Sequence, residues 1–243
     1  MKDRADKLLV FLGHFDSRAG ARAAIEAGRV TANGVTVAKP SQMISADDAI
    51  TAEPAHPYVS RGGLKLAHAL EAFGVDPAGR HCLDIGASTG GFTDVLLRAG
   101  AAHVTAIDVG REQFHASLHG NPRVTSLEGQ DARTLTAAMM PAPPSLLVCD
   151  ASFIGLEKLL DVPLSLAGPG ADFVGLFKPQ FQVGRPHVGK GGLVTDAAAT
   201  ERAAEAFTLW MKEKGWPIHA WTASPISGGE GNAERLFHAV RAQ

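Results

Sequence analysis

Two cysteines in 243 residues, Cys82 and Cys149, leave no disulfide framework to build on, and both lie in apolar runs that read as strands. They are expected to be small buried hydrophobes, with the cytoplasm as the compartment. Ten histidines are scattered without ligand spacing, so no metal site is expected. No apolar run approaches the ~18 residues of a membrane span. The start Met1-Lys2-Asp3-Arg4 lacks signal-peptide character, and no long basic amphipathic helix stands out, so no membrane partner is expected. A formal charge of −2 excludes a globally basic nucleic-acid binder, and any cationic surface has to be local. There is no repeat and no low-complexity tail. What remains, 45% hydrophobic and 20% charged, is an ordinary globular balance, long enough for one large domain and one small one.

Residues 1–60 carry seven Lys/Arg against seven Asp/Glu, so charge alone marks only a small helical module with a solvated face. Residues 3–12 read as a helix closed by Gly13. Asp16-Ser17 offers an N-cap for a second helix over about 18–27, stopped by Gly28. On that helix Arg18 and Arg22 fall about 40° apart, with Arg29 between them if the turn continues. Asn33-Gly34 joins 29–32 to 35–37, a strong hairpin signal. The run Ser17-Arg18 … Ala27-Gly28-Arg29-Val30 … Val35 … Lys39-Pro40 resembles the S4 RNA-binding domain. The resemblance implies that Lys7, Arg18, Arg22, Arg29 and Lys39 contact RNA phosphates, which fix position rather than sequence. Pro54 and Pro57 make 54–60 read as a linker.

From about residue 80, strand-like runs (81–85, 104–108, 124–128, 145–150, 172–177) alternate with helical ones near 91–99, 112–119, 155–166 and 196–214. Near-continuous apolar strands between helices predict a parallel sheet covered on both faces. Residues 218–224 and 234–241 read as a closing antiparallel pair. Ligands in such sheets bind outside the carboxyl ends of the strands. Asp84, Asp108, Asp150 and Lys178 stand at or near four of those ends.

The turn after the first of these strands, Asp84-Ile-Gly86-Ala-Ser88-Thr89-Gly90-Gly91-Phe92, lets a ligand approach the backbone and opens a helix N-terminus. It is not Gly-x-Gly-x-x-Gly, and no phosphate-loop lysine follows. Asp84 would repel a pyrophosphate but attract a cationic ligand through its ammonium group or waters. Asp108, 24 residues on, suits a ribose diol. Asp131, past the third strand, suits an adenine amino group, although a plain loop carboxylate is as good a reading. Together the acids favour S-adenosylmethionine over NAD or ATP. The expected cofactor set is Asp84, Gly86, Ser88, Thr89, Gly90, Gly91, Phe92, Asp108 and Asp131.

Four runs go further: Tyr58-Val-Ser-Arg-Gly-Gly-Leu-Lys65, Leu83 to Asp94, Cys149-Asp150-Ala-Ser-Phe153 and Leu176-Phe-Lys178-Pro-Gln-Phe181. They resemble the TlyA family, proteins often labelled hemolysins that behave as ribosomal RNA 2′-O-methyltransferases with an FtsJ-type catalytic domain. The resemblance covers nearly the whole chain. It implies an α/β fold: a Rossmann-like class I methyltransferase sheet, mostly parallel with the last strand antiparallel, preceded by a small α+β S4 domain. The expected division is 1–53, a linker at 54–60, and 61–243. The implied reaction methylates a cytidine ribose hydroxyl in the RNA of assembled ribosomal subunits, with no obligate protein partner.

The same resemblance carries a tetrad onto Lys65, Asp150, Lys178 and Glu234, with Lys178 as general base. Glu230 competes with Glu234, but Gly-Asn-x-Glu ahead of the last strand favours Glu234. An unperturbed lysine is only about one part in a thousand neutral near pH 7.4. Desolvation and the Lys65 cation are expected to push Lys178 towards neutrality, against the pull of Asp150 and Glu234. Arg185, His187 and Lys190 in 179–192, with Arg61, are expected to hold phosphate as that loop closes over the target nucleotide. Cys-Asp-Ala-Ser-Phe is not the Asn/Asp-Pro-Pro-Tyr that holds a planar base for N-methylation. Two other classes compete: a membrane-active hemolysin, which lacks a suitable segment, and a non-catalytic assembly factor, which has no need of two lysines converging on an acid.

Overall fold

A strand occupies the place where the first helix was expected to begin. In the computed structural model, which describes residues 1–228 and 231–242, Lys2–Arg4 (β1) pairs antiparallel with Met43–Ser45 (β4), and α1 starts only at Ala5 and runs to Phe11. Helix α2 (Arg18–Glu26) is capped by Ser17, whose Oγ accepts from Gly20 N at 3.2 Å. The Asn-Gly hairpin forms between β2 (Val30–Ala32) and β3 (Val35–Thr36), with both turn residues at positive φ. Strand β2 also pairs with β5 (Ile50–Ala52). Leu8, Leu9, Ala24, Ile25, Val30 and Ile44 form the core of this unit, Met1–Pro57.

The second unit, Tyr58–Gln243, is built on a seven-stranded sheet. In chain order its elements are α3 (Gly62–Phe73), β6 (His81–Ile85), α4 (Gly91–Arg98), β7 (His103–Asp108), β8 (Val124–Glu128) and β9 (Leu146–Cys149). There follow α5 (Leu156–Leu159), α6 (Asp161–Leu166), β10 (Asp172–Phe177), α7 (Pro179–Gln182), α8 (Ala197–Glu213), β11 (Ile218–Ala223) and β12 (Arg235–Val240). The order across the sheet is β11-β12-β10-β9-β6-β7-β8. β12 runs antiparallel to both neighbours, and the other pairings are parallel. Alternation along β9 divides the core: Leu146 and Val148 meet α3 and α4, while Leu147 and Cys149 meet α5, α6 and α8. Both cysteines are buried and free, and burial pushes each thiol up to about 12.

Three elements differ from the sequence reading. The helix expected over 112–119 is a single 3-10 turn, Ala116–Leu118. Glu112 lies at φ +57°, and the Gln113 and Phe114 amides donate to Glu128 Oε1 instead of continuing a helix. The helix over 155–166 is two short ones, because Pro163 lacks an amide hydrogen and fits only a first turn. Helix α3, unassigned at sequence level beyond the position of Lys65, packs Leu66, Ala69 and Leu70 onto the sheet. Tyr58, Val59 and Ser60 belong to this unit as well: Val59 N donates to Asp94 Oδ2 at 3.0 Å, and Ser60 lies against Gly91.

Candidate active site

The carboxyl ends of β6, β7, β9 and β10 meet around the turn after β6, and glycine is required there twice. Gly86 lies at φ +79°, and a Cβ on it would come within 2.8 Å of Ala151 Cα, so the chain ends of β6 and β9 touch backbone to backbone. Gly90, at φ +85°, is the N-cap of α4, and a Cβ there would collide with Leu118. Between them Ser88, at φ +46°, donates its amide to Asp108 Oδ2 at 2.8 Å, while Gly110 N donates to Oδ1 at 2.7 Å. Asp108 is thus fixed by two backbone amides, with one acceptor position left on each oxygen.

Asp84, expected to attract a cationic ligand, is turned into the interior. It is fully buried, Thr93 Oγ1 donates to its Oδ2 at 2.6 Å, and it lines neither of the cavities described below. Burial raises this carboxyl to about 7, against the Thr93 bond, with the charges of Asp150 and Asp108 adding to the rise. Asp131 borders the second of those cavities, but its carboxylate is gripped by the Arg133 side chain, 2.6 Å at the closest, and accepts from Arg133 N. These bonds hold it below the usual carboxylate range.

Two cavities share Gly86, Ser88, Asp150 and Ser152. The first, about 300 Å³, is bounded by Lys65, Lys178, Arg61, Phe92, Thr89 and Ser227. The second, about 470 Å³, is bounded by Ile107, Asp108, Val109, Gln113, Asp131 and Leu159. Lys178 is 6% exposed, donates to Asp150 O at 3.0 Å and Ser152 Oγ at 2.8 Å, and forms an ion pair with Asp150 Oδ1 at 2.6 Å. Lys65, 8% exposed, pairs with the buried Glu234 Oε2. The four residues are therefore two ion pairs whose lysines line one cavity, and Lys65 brings its own counter-charge with it. Glu230 lies outside the described residues.

Residues 58–241 match the FtsJ-like methyltransferase family, and residues 3–50 match the S4 domain. The chain belongs to the FtsJ-like methyltransferase family. It is 45% identical over 233 residues to the 16S/23S rRNA (cytidine-2′-O)-methyltransferase TlyA of Mycobacterium tuberculosis, covering 95% of this chain and 87% of that one. It is 37% identical to Hemolysin A of Brachyspira hyodysenteriae over 98% of this chain and 99% of the other. A solved structure titled as a hemolysin from Streptococcus thermophilus superposes with a TM-score of 0.77 at 36% identity, covering 100% of this chain and 89% of that one.

In this FtsJ-like chain the side chains expected to meet RNA are all exposed: Lys7, Arg18, Arg22, Arg29 and Lys39 in the first unit, Arg61, Arg185 and Lys190 in the second. Arg29 pairs loosely with Glu53 at 3.5 Å. Buried Asp6 takes Arg18 at 2.6 Å and Arg4 at 3.0 Å, so Arg4 joins the cationic face although the sequence reading omitted it. The two arginines hold the Asp6 carboxyl well below its ordinary range.

The sequence reading also passed over Phe153. It is 88% exposed at φ +67°, a conformation unfavourable for a bulky residue, and it borders the second cavity. Its ring meets Phe181 at 5.4 Å, on α7, which follows Lys178. A large apolar residue three positions past a strand-end acid was the available signal.

Proposed function

We propose that this chain transfers the methyl group of S-adenosylmethionine to a ribose 2′-hydroxyl, that of a cytidine in ribosomal RNA within a ribosomal subunit. The observation that carries the reading is the pair of lysines, Lys65 and Lys178, lining one cavity that shares the Gly86, Ser88, Asp150 and Ser152 wall with an Asp108-bordered second one. The second cavity fits the cofactor: a carboxylate with free acceptor positions for a diol, and apolar walls from Ile85, Ile107, Val109, Ala132 and Leu159 for a purine. Gly86, Ser88, Thr89, Gly90, Gly91 and Phe92 form the cradle at its methyl-bearing end. Asp84, sealed beneath α4, holds the turn through Thr93 rather than touching the ligand.

Bound there, the cofactor supplies an electrophilic methyl on a sulfonium. Lys178, placed beside the shared wall of the two cavities, is the residue positioned to take the hydroxyl proton. As a free amine it would accept the 2′-hydroxyl proton, leaving the oxygen to take the methyl group that the bound cofactor would supply. Asp150 and Ser152 hold the Lys178 amine, and the Lys65–Glu234 pair orients the hydroxyl. The rest of the acceleration is positioning. Phe153 offers a stacking surface for a base, Arg61, Arg185 and Lys190 take phosphates as 179–192 closes, and the S4 unit holds flanking RNA.

The test incubates the protein with tritiated S-adenosylmethionine and separate small and large ribosomal subunits, then digests the RNA to nucleosides. Label is expected in 2′-O-methylcytidine. No transfer to either subunit, with cofactor bound, or label on a base, overturns the reading. The hemolysin label of the relatives finds no support in a span: among the described residues no helix is long and apolar enough to cross a membrane.

A further inference from the structure

Asn232 is 1% exposed, and both ends of its amide are committed. Its Oδ1 accepts from Val194 N at 2.9 Å, and its Nδ2 donates to Gly192 O at 2.9 Å. Both partners lie on the glycine-rich stretch that carries Arg185 and Lys190, some forty residues away in sequence. A buried amide with both groups satisfied by one distant backbone segment is a fixed joint, because breaking it strands polar groups in the interior.

The joint leads into the catalytic cavity. The main-chain carbonyl of Asn232 accepts from Gly228 N at 3.1 Å. Gly228 has no side chain because Glu234 occupies the space: a Cβ there would lie 2.9 Å from Glu234 Cδ. Ser224 N donates to Glu234 O at 3.0 Å, closing the segment at its other end, and Ile226 and Ser227 within it wall the cavity that Lys65 and Lys178 face. A continuous set of contacts therefore runs from Gly192 and Val194, through the Asn232 side chain and carbonyl, to Gly228, the Glu234 carboxylate and Lys65. Coupling between sites needs such a packed path with few loose joints.

We propose that Asn232 is a positioning residue that couples the 184–194 segment to the Glu234 carboxylate, so that RNA held on that segment sets the Lys65–Glu234 pair. The inference rests on the methyltransferase reading above. The test is a double-mutant cycle on methyl transfer to ribosomal subunits, with Asn232→Ala in the wild-type and Glu234→Gln backgrounds. The expected result is at least a tenfold loss of kcat in the first background, less than twofold in the second, and a cofactor Kd within twofold in both. The same loss in both backgrounds, or none in the wild type, overturns the coupling.

Native-state hydrogen exchange reads the joint without turnover, so it also separates this inference from the methyltransferase reading. In Asn232→Ala the Val194 and Gly228 amides should lose protection together, at least tenfold, while those of β6 and β9 keep theirs. Loss at Val194 alone overturns the proposal even if transfer is never detected. Should Asn232→Ala fail to fold, Asn232→Asp keeps the bond from Val194, sets a carboxylate against the Gly192 carbonyl, and is read in the same way.

Discussion

The Asp84 carboxyl makes a measurable claim about stability. It is fully buried, carries one hydrogen bond from Thr93, and lies at about 7 instead of 3.8. A folded-state value above the unfolded one means the folded protein holds the proton more tightly. The stabilisation is complete below the unfolded value near 4 and disappears as pH rises through 7. A rise from 3.8 to about 7, at about 1.4 kcal/mol for each tenfold gain in proton affinity, is worth about 4 kcal/mol in total. Of that, about 3 kcal/mol is lost between pH 5 and 8. An amide at this position cannot ionise, so the variant Asp84→Asn escapes this loss while every other titrating group stays the same. All three tryptophans, Trp210, Trp216 and Trp221, lie in the second unit, so their fluorescence in urea reports the unit that contains Asp84. The stability of Asp84→Asn relative to wild type should improve by about 3 kcal/mol from pH 5 to pH 8. A difference that stays flat across that window would refute the reasoning, because it would mean the carboxyl is already ionised in the folded protein throughout.

Other outcomes follow from the same geometry. Lys178→Met and Lys65→Met should each lower kcat by about a hundredfold or more while cofactor Kd, measured by calorimetry, stays within a few-fold. Glu234→Ala should cost about 3 kcal/mol of urea stability, since it leaves the Lys65 cation buried and unpaired, and Glu234→Gln should cost visibly less. Gly86→Ala, at φ +79° and against Ala151, should lose about 2 kcal/mol of stability and its cofactor binding as well. Phe153→Gly relieves a positive φ at an exposed site, so thermal stability should hold or rise while the KM for ribosomal subunits climbs. An unchanged KM there would remove Phe153 from the RNA surface.

The sequence carried three of the strand ends because β7, β9 and β10 are largely apolar and each ends at, or next to, a charged residue. Asp108, Asp150 and Lys178 needed only that period to be found. The direction of Asp84 was not legible in the same way. Its spacing matched a ligand-facing acid, but whether it points up at the cavity or under α4 depends on the pleat and on Thr93, nine residues later. The false helix at 112–119 failed for a similar reason: Glu128, on another strand, takes the amides that a helix would have used. Phe153 and Asn232 were hidden because their meaning lies in exposure and in distant backbone partners, neither of which leaves a periodic trace.

The arrangement of charges has a logic beyond the individual residues. Two lysines that are under 10% exposed could not both stay charged without partners, since each isolated ammonium would cost several kcal/mol to desolvate. Asp150 and Glu234 remove that cost, one for each lysine, so the two lysines add no net charge in the resting protein. A balanced set of pairs is stable while it waits and sensitive to what enters. A cationic methyl donor upsets the balance by one charge, on the side where Lys178 donates to Asp150 O and Ser152 Oγ. A phosphate near Arg61 restores the balance from the other side. The order in which cofactor and RNA bind should therefore be coupled: with Lys65→Met, which removes one fixed cation and strands Glu234, the dependence of cofactor affinity on bound RNA should weaken. Equal cofactor affinity with and without RNA in the wild type would show that the two ligands do not share this charge balance.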